Sequence, residues 1–386
     1  MPTLSEAFAI AVQHQEAGRL QAAEEIYRQI LAVDPNNVNA LQLLGHLALN
    51  VGRLEDAATY ISRAIELHGT ESLFHLNLGC VFKAQGKLDP AIDCFRRALE
   101  LQPNYDSAIY NLGTTLLAQK KLDEAVLFLL RSIEIRPDHA KSYDNLGTAY
   151  LHQEKYDEAV GCYRRAIHLE PGDAQTHFNL AVVLQAQGNF DAALASCCRA
   201  LERKPDFTYA RLSRSLLRLL LGDFEHGWSE YEWRWKSKLK ERGFPQPKWD
   251  GNSLEQRTLL LHDEQGFGDT YQFIRYASLV KTHNPRATVI VECQRPLAKL
   301  LTGCPGIDWL IEIGDSLPPF DVHLPLLSLP GVFRTTLEAI PANVPYLFAD
   351  QRLVEEWRER LAGISGFRIG INWHGRPDDG ERRSEI

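Results

Sequence analysis

The chain has 386 residues, enough for two or three domains, and its 45% hydrophobic content is ordinary for a folded globular protein. A formal net charge of −8 argues against a nucleic-acid partner, which would favour a basic surface. No run of eighteen or more apolar residues occurs, so no membrane span is expected.

The chain opens, from Met1 to Val12, without a basic n-region and with Glu6 inside its apolar stretch, so no signal peptide is expected. Its seven cysteines form an odd, scattered set with no CxxC pair, which reads as reduced thiols in a cytoplasmic protein. Cys197 and Cys198 fall on a predicted helix, where neighbours point about 100° apart, and read as packing residues.

A 34-residue period runs through the first part of the chain. Helix breakers recur at Pro35, Gly69, Pro103, Pro137, Pro171 and Pro205. Two columns hold only small residues: Ala23, Ala57, Ala91, Ala125, Ala159, Ala193, Gly227, and Ala11, Gly45, Gly79, Gly113, Gly147, Ala181, Ser215. The spacing predicts two helices per unit, with small residues on facing sides so that the backbones approach closely. Four residues after the first column, Tyr27, Ile61, Phe95, Leu129, Tyr163 and Tyr231 supply a large side chain for the seam, with Cys197 the smaller exception. Between the two helices a turn column reads Gly18, Gly52, Gly86, Lys120, Glu154, Gly188, Gly222, a position that favours positive φ. The pattern resembles the tetratricopeptide repeat. It implies seven helical hairpins over residues 4–241, stacked into a superhelix whose concave groove holds a protein or peptide.

Asn77, Asn111, Asn145 and Asn179 recur at the same spacing, each on a first helix, while Leu43 and Ser213 interrupt the column. An amide carries both donor and acceptor, so a ladder of four clamps a peptide backbone without reading its sequence; alternatively the asparagines cap or bridge neighbouring repeats. The ladder is similar to the inward-facing asparagines of O-GlcNAc transferase, which implies a peptide-binding role. In the seventh unit Trp228, Trp233 and Trp235 read either as a ligand platform or as the cap that joins the solenoid end to the next domain.

Residues 242–256 read as a linker, with Gly243, Pro245 and Pro247 before Trp249-Asp250-Gly251. Strands and helices then alternate: strand candidates Thr258–His262, Thr288–Glu292, Trp309–Ile313, Asp321–His323 and Arg368–Trp373, a helix from Asp269 with Phe273, Ile274, Ala277 and Val280 on one side, and a helix over Val354–Leu361. The turn Gly266-x-Gly268-Asp269 lies at the edge where such sheets bind ligands, and two glycines there let backbone N–H groups approach an anion or sugar hydroxyls. On spacing alone Asp269 reads as a helix N-cap rather than a functional group.

Residues Glu264-Gln265-Gly266-x-Gly268-Asp269-x-x-Gln272-Phe273-x-Arg275-Tyr276, with Asp321-x-His323-x-Pro325-Leu326 and Gly370-Ile371-x-Trp373-x-Gly375, resemble the glycosyltransferase region of bacterial tetratricopeptide proteins. These are similar to the O-GlcNAc transferase and heptosyltransferase families. The fold class expected is thus an all-α superhelical solenoid followed by a partial α/β domain, Rossmann-like and half of a GT-B arrangement. Residues 257–350 would form the acceptor-side half, and 351–386 a linker helix and the first strand of a truncated second half. The resemblance implies Asp269 as the base that deprotonates an acceptor hydroxyl, with Glu264, Gln265, Gly266, Gly268, Gln272 and Arg275 forming the acceptor loop. It implies no metal and no resident cofactor, only a nucleotide sugar such as UDP-GlcNAc as donor where an intact site exists. Arg376-Pro377 stands where relatives have Asn-Pro, and almost none of the donor half precedes Ile386. Three functional readings follow: a transferase-family chain with an incomplete active site, a non-catalytic scaffold for peptides or partner proteins, and a half-enzyme complemented by another chain.

Overall fold

Helix-forming segments punctuated by breakers every 34 residues fold as the period dictates. A computed structural model describes residues 3–237 and 241–363, which fall into two compact units dividing between Glu241 and Arg242. The first unit holds seven helical hairpins: α1 Leu4–Glu16 with α2 Leu20–Val33, α3 Val38–Asn50 with α4 Leu54–Leu67, α5 Ser72–Ala84 with α6 Leu88–Leu101, α7 Asp106–Ala118 with α8 Leu122–Ile135, α9 Ala140–His152 with α10 Tyr156–Leu169, α11 Ala174–Ala186 with α12 Phe190–Arg203, and α13 Thr208–Leu220 with α14 Phe224–Tyr231.

Within each hairpin the small-residue columns meet the seam residue that the sequence assigns to them. A Cβ added at Gly45 would lie 2.5 Å from Ile61, at Gly79 2.5 Å from Phe95, at Gly113 3.0 Å from Leu129 and at Gly147 2.9 Å from Tyr163. In the sixth hairpin Ala181 carries the extra methyl, and the residue sharing its core is the small Cys197. Added volume on one side is thus matched by lost volume on the other, which explains the exception in the column. Cys198 beside it is half-buried.

Every turn between paired helices places its column residue in the left-handed region. Lys120 and Glu154 do so at φ 60° without being glycine, in rows where the neighbouring hairpins use Gly86 and Gly188. Each second helix from α2 to α12 ends two residues before the column of prolines and Gly69. Consecutive first helices touch one another from α3 through α11, whereas second helices approach each other less closely. The stack is therefore tightest along its first helices, which puts them on the inner side of its curve.

A second periodic brace links the hairpins. Gln85, Gln119, Gln153 and Gln187, each just past the end of a first helix, donate to Glu55, Asp89, Asp123 and Asp157 at the start of the preceding second helix, at 2.7–3.0 Å. The last hairpin ends differently, because α14 has 8 residues where the other second helices have 14 and passes into a 3-10 turn over Glu232–Lys236. There the Arg234 side chain is 1% exposed, with its guanidinium 4.5 Å from the rings of both Tyr231 and Trp235. Arg211 and Lys236 lie over Trp233. Trp233 and Trp235 therefore pack with cations of their own hairpin, and Trp228 packs against Phe224 and Tyr231.

Among its described residues the second unit carries four parallel strands, β1 Thr258–His262, β2 Thr288–Cys293, β3 Trp309–Glu312 and β4 Val322–Pro325, in the order β3-β2-β1-β4. In register, Leu260 sits between Ile290 and His323. The near-continuous apolar runs of β1 and β2 are buried, as a sheet covered on both faces requires. The helix expected from Asp269 starts earlier and is split, into α15 Phe267–Phe273 and α16 Tyr276–His283, with Phe273, Ile274, Ala277 and Val280 all buried. The last described helix spans Gln351–Arg360.

The segment 242–256 is not a free linker, which corrects the sequence reading. Trp249 and Leu254 are buried, Lys248 pairs with His323 on the outer side of β4, and Arg242 reaches Glu292. Glycine and proline content marks irregular backbone, not the absence of packing. The expected strand Arg368–Trp373 and the motif through Gly375 lie outside the described residues.

Closeness at the hairpin seam predicts that Gly79→Ala destabilises the repeat unit by about 1–3 kcal/mol, because the new methyl must displace the Phe95 ring. Adding Phe95→Leu should recover part of that loss in urea unfolding. A double variant no more stable than the two single losses combined would show that the seam is not what constrains position 79.

Candidate functional site

Two regions gather the residues singled out by sequence: the first-helix face of the repeat unit and the carboxyl ends of β1 and β2.

On the first-helix face, the asparagine column spans the tight seams. Asn145 Nδ2 donates to the Tyr110 hydroxyl of the preceding hairpin at 3.2 Å and to Lys141 O of its own helix at 2.7 Å. Asn179 Nδ2 donates to the Asp144 carboxylate at 3.0 Å, and Asn179 Oδ1 accepts from Gln175 at 2.9 Å. Asn111 Nδ2 donates to Ser107 O at 2.8 Å. Asn77 is 8% exposed, and its Nδ2 has no hydrogen-bond partner among the described residues. Two of the four amides therefore bridge neighbouring repeats through their donor ends. The acceptor ends of Asn111 and Asn145 take no hydrogen bond among the described residues.

Sequence reasoning missed the partners on this face. Lys83 Nζ on α5 donates to Thr114 Oγ1 on α7 at 2.6 Å, and Asp144 on α9 receives Asn179 from α11. The bridges join positions 31 and 35 apart, so a search for columns 34 apart passes over them. Burial lowers the Lys83 pKa and raises that of Asp144.

In the sheet unit, Asp269 sits in the first turn of α15 and its Oδ2 accepts the Gly266 N–H at 3.0 Å, satisfying the start of the helix. The N-cap is Gly266 and Asp269 stands three residues further on. Of the two glycines, neither has positive φ; a Cβ at Gly268 would meet nothing within 4 Å, and one at Gly266 only the Asp269 carboxylate at 3.6 Å. Arg275 lies away from the turn's chemistry: its Nη1 donates to Pro341 O at 3.1 Å, its Nη2 to the Tyr346 hydroxyl at 2.8 Å, and its guanidinium covers the Tyr346 ring. Gln272 and Gln265 are exposed and Glu264 is half-buried.

The sequence did not single out Asp263, which follows β1 directly. Its Oδ2 accepts from Gln294 Nε2 at 2.7 Å, and Gln294 Oε1 accepts from Thr270 at 3.1 Å. Burial, with the Glu292 carboxylate nearby, pushes the Asp263 pKa up to about 6. Beside it His262 is buried against His323 at 3.2 Å, and burial lowers its pKa to about 4. Arg242 forms a two-pronged ion pair with the buried Glu292. No group of His, Cys, Asp and Glu among the described residues is arranged to hold a metal ion.

The hairpins, their fixed period and the inner first-helix face define a helical-repeat solenoid of the kind that presents a surface to other chains. Tetratricopeptide repeat models match residues 14–76, 72–105, 105–169 and 145–208, and the chain belongs to the tetratricopeptide repeat proteins. The matched residues end inside the repeat unit. Protein FlbA of Caulobacter vibrioides is 24% identical over 214 residues, 47% of this chain and 34% of FlbA, so the chain spans about a third of that relative's length. Among solved structures, MamA is 28% identical with a TM-score of 0.40, over 42% of this chain and 95% of that one. A tetratricopeptide repeat protein from Parabacteroides merdae ATCC 43184 is 16% identical with a TM-score of 0.51, over 62% of this chain and 94% of that one, and shares the fold. No helix among the described residues is long and apolar enough to cross a membrane.

The two perturbed groups beside β1 pull stability in opposite directions with pH. Folded Asp263 holds its proton to about pH 6 and the unfolded chain releases it near 3.8, so ionisation opposes folding as pH rises between them. Folded His262 stays neutral to about pH 4 while the unfolded chain binds a proton near 6.5, so acidification through that window opposes folding. Asp263→Asn should therefore stabilise the sheet unit by about 1–2 kcal/mol at pH 7, a gain that vanishes by about pH 4. Thermal melts at pH 7, 5.5 and 4 measure it; a gain independent of pH would mean that Asp263 ionisation is not its source.

Proposed function

We propose that this chain is a scaffold that captures an extended polypeptide segment along the first-helix face of its repeats. The asparagine column carries this reading: four amides at one register on the inner helices, with acceptor ends at Asn111 and Asn145 that take no bond from the described residues. Backbone amides of an extended segment offer what those acceptors need at no demand on sequence. The buried Nδ2 of Asn77 adds to this, because an unpaired donor costs about 1–3 kcal/mol that an incoming carbonyl offsets once the amide turns to meet it.

Replacing Asn111 and Asn145 together with alanine should weaken capture of an uncharged Gly/Ser-rich peptide about tenfold, read by fluorescence anisotropy, with far-UV circular dichroism unchanged. Unchanged affinity would assign the asparagines to bridging alone.

A second reading, glycosyl transfer by the sheet unit, is favoured by one observation. Gly266 and Gly268 stand at the carboxyl edge of the parallel sheet with no conformational or packing need for glycine, as expected where a ligand's hydroxyls or phosphates approach the backbone. In this reading a nucleotide sugar is the donor, Asp269 the base, and Glu264, Gln265 and Gln272 support the acceptor loop, while Arg275 braces Pro341 and Tyr346 instead. Under the scaffold function, titration of UDP-GlcNAc into the full chain gives no heat and no thermal shift. Micromolar binding, with label transfer to peptide that Asp269→Asn abolishes, would instead establish the transferase reading.

A further inference from the structure

On the first-helix face Lys83 and Asp144 are half-buried and have no counter-ion among the described residues. Lys83, half-buried at the seam of α5 and α7, donates only to a neutral hydroxyl, Thr114 Oγ1 at 2.6 Å. Asp144, half-buried at the seam of α9 and α11, accepts from the neutral amide of Asn179 at 3.0 and 3.3 Å. Neither forms an ion pair among the described residues, and Lys141, one turn before Asp144 on α9, forms none with it either. Other charges of the same unit form ion pairs across its seams: Arg53 with Glu24, Arg96 with Glu124, Arg136 with Asp106, and Arg214 with Glu230.

The geometry points to a bipolar polypeptide as the partner of this face: a segment whose acidic side chain docks at Lys83 and whose basic side chain docks at Asp144, two hairpins further along. This rests on the groove reading above and adds the chemistry of what is held. Each of the two groups loses hydration in the folded chain and gains no opposite charge in return. An incoming ion of opposite sign supplies it, in a crevice where screening is weaker than on the open surface. The bridges to Thr114 and Asn179 hold both groups in place beforehand, so little side-chain entropy is lost on binding. Because the two charges differ in sign, purely acidic and purely basic segments each gain one contact and meet one repulsion.

Four capped, fluorescein-labelled Gly/Ser peptides of equal length test this against the full chain at low ionic strength: neutral, glutamate-bearing, lysine-bearing, and one with glutamates in one half and lysines in the other. The mixed peptide should bind about tenfold tighter than any of the others. Lys83→Met should remove the gain from glutamate and Asp144→Asn the gain from lysine, each by about threefold, with circular dichroism unchanged. The proposal is overturned if the mixed peptide binds no tighter than the neutral one, or if no peptide binds. It is equally overturned if both variants bind the mixed peptide as the parent does. The paired Asn111 and Asn145 alanine variant separates the two readings: loss there with no loss in the charge variants leaves the groove and removes the bipolar partner.

Discussion

The repeat unit depends on one steric constraint, the approach of two helices at a position with no side chain. Where Gly79 faces Phe95 or Gly147 faces Tyr163, a single methyl would overlap the ring. A large residue can occupy the seam only because its partner is small, and the seam fixes how the second helix lies on the first. Repeated every 34 residues, this fixes the first helices against one another and brings Asn145 to Tyr110 and Asn179 to Asp144. The polar face is a consequence of the apolar seam.

Much of this was legible in the sequence because its signals are single residue types at a fixed spacing. The turn column shows how far such reading reaches: Lys120 and Glu154 adopt the left-handed backbone of their glycine neighbours, since the hairpin imposes it whatever the residue. Interactions between columns were not legible. The glutamine-to-acid brace joins positions 30 apart, and its acid column mixes Glu55 with aspartates. The roles of Lys83 and Asp144 depend on what faces them from the next hairpin, which no column of their own residue type records.

In the sheet unit the strands were legible from apolar runs between breakers, but the site was only partly so. A glycine pair followed by aspartate fits a ligand turn and a helix start alike, and the fold uses the aspartate for the helix start. Arg275 looked like part of the same string because it is close in sequence; it lies beyond α15, at the start of α16, and bonds Pro341 and Tyr346 instead. Asp263 gave no signal, because its environment is made by Glu292 and Gln294 from a different strand connection.

Electrostatic balance separates the two regions. At the sheet edge, Arg242 neutralises Glu292, His262 is held neutral by burial, and Asp263 is both hydrogen-bonded and shifted toward its neutral form. The chain completes its own charges there. Along the first helices it does not: a lysine meets a hydroxyl and an aspartate meets an amide, each ordered and half-buried. A folded chain gains nothing by itself from a buried, unmatched charge, and replacing either group by a neutral residue of similar size would remove the cost. Such groups persist to advantage where something outside the fold matches them. Under the proposed function, the partner-facing chemistry lies in the repeats, and the neutral hydrogen-bonding groups around Lys83 and Asp144 are part of how that surface is kept ready.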